Sequence, residues 1–306
     1  MTNLLTDPTP AVIRDLDDEV RAVHSLWEAS PEVAEQTRLR ASETVARFAK
    51  RLHGSGTGSF AEATPQQCTD FVHSRTRDGR EPQLTTKHAR RVALHSLYRA
   101  LRDLGITDRD PAIDVSLPPR TTRSARPLTD DEIVLCRTSA RLGRAGAASL
   151  QRAVAWALAE TTAITSEIST IRIRDVNDPI APRWVRLPGT KRADARDGEL
   201  SDWGTVMLTR QIAYLRGIGA DEDTLLTYKG AGRPGQHVAQ AAVCNAIAAT
   251  LETSGLADEA DVRPASVRNW AGRRLYDNGM PLEEVARRMG HRSLDACAED
   301  VALEWR

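Results

Sequence analysis

The chain has 306 residues, and its 42 Lys or Arg balance 42 Asp or Glu; mean hydropathy is negative, at −0.42. This length predicts two domains, each able to hold its own core. No apolar run approaches the ~20 residues that span a bilayer, and Met1 to Ala11 lacks the positive patch and apolar stretch of a secretory signal, so no membrane partner is expected and a cytoplasmic, nucleoid-associated protein is.

After a tail over residues 1–14, the first hundred residues read as helices. Val20, Val23, Leu26 and Trp27 recur at helical spacing over Asp15 to Trp27. Pro31 suits the first position of a longer helix reaching Leu52. The run His53 to Ser59, rich in Gly and Ser, is a loop. Thr64-Pro65 opens a third helix through Val72, and Leu94, Leu97, Leu101 and Leu104 mark a fourth over Thr85 to Leu104, ended by Gly105. Residues 15–110 are therefore predicted to be a small four-helix domain.

Residues 111–127 hold four prolines together with Arg120, Arg123 and Arg126. Proline keeps such a segment extended. It fits two readings, a solvated linker and a basic strap lying along a phosphate backbone.

The second domain is expected over residues 128–306. Thr129 to Glu132 has the pattern of a capping box. Ala147 to Glu160 is an apolar helix, Ile171 to Val176 and Arg183 to Leu187 read as strands, and Gly189-Thr190-Lys191 reads as a turn. Helices follow over Ser201 to Leu215, Val238 to Leu251, Val267 to Asp277 and Pro281 to Met289. The fold class is mostly α with a small antiparallel sheet, an α+β arrangement.

The neutral total charge conceals blocks. Residues 1–35 carry eight acids against two arginines, residues 71–126 twelve Lys or Arg against six acids, and residues 263–292 seven arginines against three acids. Segregation of this kind suits a basic face for nucleic acid, although solvated helix surfaces give the same pattern. Cys68, Cys136, Cys244 and Cys297 lie far apart, without a Cys or His neighbour at zinc spacing. Reduced, mostly buried thiols are expected, and no metal or cofactor is implied.

Five motifs carry a resemblance. Thr161 to Glu167 (TTAITSE) is followed by Ile171 to Asp175, then by Gly189-Thr190-Lys191, then by Arg263 to Trp270 (RPASVRNW) with Leu275 to Gly279, and last by Met289-Gly290-His291. In this order and spacing they resemble the tyrosine recombinase, or phage integrase, family over residues 15–300. The resemblance implies an N-terminal core-binding domain of the SAM-like type and a C-terminal domain of the catalytic type. It implies double-stranded DNA as partner and phosphodiester cleavage as the family's chemistry. That chemistry needs an attacking hydroxyl, two arginines to hold the non-bridging oxygens, and a proton donor for the leaving oxygen. Arginine suits the clamp because its planar fork is bidentate and always charged.

On this resemblance Lys191 stands at the family's general acid, Arg268 at its second arginine and His291 at the histidine of the Gly-His motif. Ile164 replaces the first arginine. Ala265 replaces a motif histidine, a proton-transfer group of a kind worth ~10²–10⁴ in rate. Nine positions beyond His291, where the family carries its tyrosine nucleophile, stands Asp300, and no tyrosine occupies residues 292–306. Tyr276, on the helix after Arg268, is expected to pack in the core. A chain that binds duplex DNA with some sequence preference and does not cut it is the leading expectation, in mobile-element or plasmid maintenance or regulation. A recombinase using a non-standard nucleophile, or one supplied in trans, is the alternative. The expected DNA contacts are Lys87, Arg90, Arg91, Arg99, Arg120, Arg123, Arg126, Lys191, Arg192, Arg268, His291 and Arg292. The tail from Glu299 to Trp305 offers Val301, Leu303 and Trp305 either to its own domain or to a partner, a second copy or an active recombinase.

Overall fold

The structure is a computed structural model and describes residues 15–30, 35–118, 124–141, 150–191, 193–227 and 233–303. The chain divides into two compact units between Thr121 and Thr122.

The first unit is helical. Helix α1 spans Leu16–Glu28, α2 Glu35–Gly54, α3 Pro65–His73 and α4 Leu84–Asp103, with a 3-10 turn at Phe60–Glu62. The starts of α1 and α3 follow capping chemistry: the Asp15 side chain accepts from the Asp18 N–H, and Thr64 and Gln67 form a reciprocal capping box with Pro65 in the first turn. The apolar faces meet in one core, where Phe48 stacks near Phe60 and Phe71 at centroid distances of 5.9 and 4.9 Å. Glu19 is buried in that core, yet both its oxygens are used, accepting from Ser59 Oγ at 2.5 Å and the Phe60 N–H at 2.7 Å. Pro31, the expected helix start, lies outside the described residues.

The proline-rich stretch is not free over its described parts. Ala112 and Val115 are buried in the first core, and the Pro118 carbonyl lies 2.9 Å from His88 Nε2. At the far end Ala125 is buried in the second unit, and the Arg126 N–H donates to the Asp261 carbonyl. Arg120 and Arg123 lie outside the described residues.

In the second unit α5 (Asp130–Arg141) begins at the expected box, with Thr129 N donating to Glu132 Oε2 and Glu132 N to Thr129 Oγ1. Helix α6 (Gln151–Glu160) is apolar on every side; residues 153–160 are all buried, because α5, α8 (Asp202–Gly217), α9 (His237–Thr253) and α10 (Ser266–Asp277) pack around it. Residues 147–149, at the start expected for this helix, lie outside the described residues. A one-turn helix, α7 (Thr165–Ile168), follows α6. Helices α11 (Leu282–Met289) and α12 (Leu294–Asp300) complete the unit and share a smaller core, in which Val301 is fully buried and Leu303 packs at the edge. The tail thus folds onto its own unit through Val301 and Leu303; Trp305 lies outside the described residues.

The sheet differs from expectation in one strand. Ile171–Val176 is an irregular segment with a 3-10 turn at Ile173–Asp175, because Asp175 Oδ2 accepts the Arg172 N–H and curls the chain. It makes only single bridges, Arg172 to Leu225 and Val176 to Val185. The strand β1 (Trp184–Leu187) pairs instead with β2 (Arg196–Glu199), antiparallel, with Leu187 opposite Arg196 and Val185 opposite Gly198. Strand β2 has no apolar alternation to reveal it: its inward positions are Arg196 and Gly198.

Helix α10 meets α11 and α12 at Gly272, where an added Cβ would press on Met289 Sδ and lie 3.0 Å from Val301 Cγ1. A Gly272→Val substitution is expected to destabilise the second unit by about 1–3 kcal/mol, the usual cost of overpacking a filled core. Denaturant unfolding of the full chain measures this, and an unchanged midpoint would contradict the close packing at this point.

Candidate functional site

Arg268, His291 and Asp300 meet at the junction of α10, α11 and α12. Arg268, in the first turns of α10, is buried with a side chain 10% exposed. Its guanidinium is fixed on several sides: Nε donates to the Thr162 carbonyl at 3.1 Å, Nη2 to the Met289 carbonyl at 2.8 Å, and Nη1 to Asp300 Oδ2 at 3.0 Å. His291 follows the left-handed Gly290 that ends α11, and its Nε2 lies 2.9 Å from the same Asp300 oxygen and 3.2 Å from Arg268 Nη2. The other carboxylate oxygen, Oδ1, accepts from Ser124 Oγ at 2.6 Å. Asn269 closes the arrangement by donating to Ser124 Oγ and, at 2.7 Å, to the Ala125 carbonyl.

The electrostatics follow from burial. Burial pulls the Arg268 pKa down, and the Asp300 charge works against that loss. For Asp300, burial pushes the carboxyl up, but the hydrogen bonds from His291 and Ser124 and the Arg268 charge outweigh it and hold the group below the ordinary aspartate range. A carboxyl lowered in the folded state contributes stability above its unfolded pKa, and that contribution is lost as pH falls through the folded value. The advantage of the wild type over Asp300→Asn in thermal melts is therefore expected to be present at pH 5 and to shrink below roughly pH 4. An advantage that stayed constant down to pH 2 would be incompatible with an ionised Asp300 in this network.

A second buried pair lies beside the first. Arg196 on β2 holds Glu167 on α7 in a two-pronged contact, Nη1 to Oε1 at 2.8 Å and Nη2 to Oε2 at 3.0 Å, with side chains 5% and 0% exposed. Its remaining donors reach the carbonyls of Arg288, Asp194 and Thr162. All five N–H groups of Arg196 thus have protein acceptors. Gly290 has φ +74, and an added Cβ there would lie 2.7 Å from Arg196 Nη1, so this position needs glycine for both conformation and space. Sequence reasoning missed Arg196, which lies five residues beyond Lys191 on a strand with no apolar signal.

The positions that the resemblance reads as substituted, Ile164 and Ala265, lie apart from the Arg268–His291–Asp300 contacts. Ile164 caps α7, and its N–H donates to Glu167 Oε2 at 3.0 Å. Ala265 is exposed at the start of α10. Lys191 is exposed in the β1–β2 turn, where its carbonyl accepts from Arg292. Arg292 is exposed too and pairs with Asp194 at 2.7 Å. Arg192 lies outside the described residues. Tyr276 is 36% exposed rather than packed in the core, because it falls on the outer side of α10. It sits about two helical turns, ~12 Å, beyond Arg268.

In the first unit Arg90 departs from the expected duplex-facing role. It is buried, and its Nη1 donates to the carbonyls of Phe71, Val72 and Ser74, capping the end of α3. Arg91 reaches the Val115 carbonyl, Lys87 lies 3.8 Å from Glu81, and Arg99 is exposed. Arg126 likewise is tied down, donating to both oxygens of Glu132 and to Glu259. A basic cleft appears elsewhere. Arg47, Lys50 and Arg51 of α2 and Arg75 and Arg77 after α3 line a depression of about 760 Å³ in which Glu43 is the one acid. Burial, and next the Arg47 and Arg51 charges, pull the Arg90 pKa down, a sign of mutual repulsion in this cluster. The spacing of Arg47, Lys50 and Arg51 on one face of a helix is the signal that could have revealed it.

Residues 135–298 match the model of the phage integrase family. The chain belongs to the phage integrase family. No curated protein matches the sequence. Among solved structures, this phage integrase family member is similar to a lambda integrase dimer bound to a COC′ core site, with TM-score 0.69 and 16% identity over 95% of this chain and 79% of that one. It is similar to XerH site-specific recombinase bound to a difH substrate, with TM-score 0.66 and 14% identity over 96% of each chain. It is similar also to the Tn1549 transposon integrase in complex with transposon right end DNA, with TM-score 0.61 and 16% identity over 92% and 94%. At such identities the likeness establishes the fold, a mostly helical tyrosine-recombinase architecture with a small antiparallel sheet. Among the described residues no helix is long and apolar enough to cross a membrane, and no group of three or more His, Cys, Asp or Glu side chains could hold a metal ion.

Proposed function

We propose that this integrase-family chain binds double-stranded DNA at preferred sites without cutting it. The observation that carries the reading is the carboxylate of Asp300 lying 3.0 Å from Arg268 Nη1; the sequence resemblance assigns the family's tyrosine to this position. A carboxylate would have to approach phosphorus as an anion approaching an anion, and its two oxygens are already engaged by Ser124, Arg268 and His291. Ile164 offers no hydrogen bond to a phosphate oxygen, and Ala265 offers no proton.

Binding is supported separately. The cleft of Arg47, Lys50, Arg51, Arg75 and Arg77 suits a run of phosphates, and the similar structures include integrases and a recombinase bound to DNA. Contacts of this kind position a protein on the duplex and carry no sequence information; preference must come from groove-facing side chains. Roles in repression, in plasmid or mobile-element maintenance, or as an architectural partner at a recombination site fit this chemistry.

The test is a nicked suicide duplex incubated with the full chain, alone and with an active recombinase. The expected result is a salt-sensitive shifted complex and no covalent protein–DNA band. A covalent band that disappears in Lys191→Ala or Arg268→Ala would overturn the reading, and so would the absence of any preferred sequence after selection from random duplexes.

A further inference from the structure

Arg268, His291 and Ser124 come from three separate segments: α10, the residue after the α11 cap, and the stretch leading into the second unit. Their donors converge on one small volume, at 3.0, 2.9 and 2.6 Å from the two oxygens of a single carboxylate. Three donors aimed at one point, one of them a buried guanidinium locked by the carbonyls of Thr162 and Met289, make a seat for an anion. The seat is filled from within by Asp300, in the last turn of α12.

We propose that Asp300 is a built-in anion that closes this seat to phosphate and, by the same bonds, fastens α12 and the Ser124–Ala125 stretch to α10. The carboxylate supplies what a phosphate oxygen would supply: negative charge to Arg268, an acceptor for His291, and an acceptor for the Ser124 hydroxyl. Glu299 adds to the fastening, since its Oε1 accepts the Ser124 N–H at 3.3 Å. The seat is not sealed. Asp300 keeps 24% of its side chain exposed, and His291 also lines an open cleft of about 530 Å³ with Arg196, Gly290 and Arg292. An external anion therefore has a route to the seat and is kept out by competition rather than by a wall. A covalently attached carboxylate competes at a high effective concentration, so free phosphate at millimolar levels does not displace it. For the DNA-binding reading, on which this consequence alone rests, the chain holds its duplex without gripping a backbone phosphate at Arg268.

The experiment is calorimetric titration of the full chain with inorganic phosphate at constant ionic strength, for wild type, Asp300→Ala and the double variant Asp300→Ala with His291→Ala. The single variant is expected to bind phosphate at least about tenfold more tightly than wild type, the scale of one charge-assisted hydrogen bond, and the double variant to lose most of that gain. Equal affinity in wild type and Asp300→Ala would overturn the proposal. So would a folded Asp300→Ala chain that does not bind phosphate. If the alanine variant does not fold, Asp300→Asn, which keeps the side-chain volume and removes the charge, is measured against wild type. Tighter phosphate binding is again expected, and no difference overturns the proposal. A mobility-shift assay on duplex DNA is run in parallel. Loss of DNA binding in the wild type would sink the functional reading and leave the phosphate result standing by itself.

Discussion

Glu167→Gln is expected to destabilise the second unit by about 3–5 kcal/mol, the range for a buried ion pair that loses one partner. The substitution preserves volume and removes only the charge that Arg196 faces. Both side chains are almost entirely out of solvent, at 0% and 5% exposure, so water cannot replace the lost partner. The damage would spread, because Arg196 also holds the Thr162 and Arg288 carbonyls, and Thr162 O is a shared acceptor for Arg268. Denaturant unfolding of the full chain gives the measurement. A double variant with Arg196→Met provides the control: removing both charges with an apolar side chain of similar length is expected to recover much of the loss. A cost below about 1 kcal/mol for Glu167→Gln would mean that the pair is solvated and carries little of the fold.

The second large effect concerns the first unit. Replacing Arg47, Arg51 and Arg77 together by Ala is expected to weaken DNA binding for preferred and random duplexes alike. It should flatten the slope of log affinity against log salt by about one unit per residue removed. The uniform loss is the distinguishing feature, since phosphate contacts position the protein and base contacts discriminate. All three side chains are exposed at the cleft, so their removal leaves the core intact. A loss restricted to the preferred site, with an unchanged salt slope, would assign these residues to base readout instead. An unchanged affinity would move the DNA-binding surface away from this cleft.

Much of this arrangement could be read from the sequence, for physical reasons that differ by element. The helices of the first unit were legible because each has a periodic apolar face, and α3 has a chemical start signal as well, at Thr64-Pro65-Gln66-Gln67. The box at Thr129 and Glu132 was legible for the same reason. The pairing of Arg268 and His291 came from motif order. Three features were not legible. Strand β2 is polar because its inward positions hold a buried arginine and a glycine, and no alternation rule finds such a strand. Arg90 has the spacing of a surface arginine on a basic helix, yet its length lets it turn inward to the carbonyl ends of α3. Asp300 drew attention in the sequence only through the resemblance, and the contacts that it makes depend on where α12 docks, a docking that rests on Val301 and Cys297 in a small core.

The Arg196–Glu167 contact also constrains position 164. Ile164, at the position that the sequence resemblance assigns to an arginine, donates its backbone N–H to the same Glu167 oxygen that Arg196 Nη2 contacts. An arginine placed at position 164 would therefore approach a carboxylate already neutralised, beside a guanidinium of like charge. Ile164→Arg alone is expected to lower the unfolding midpoint of the second unit, and removal of the Arg196 charge in the same chain to relieve part of that loss.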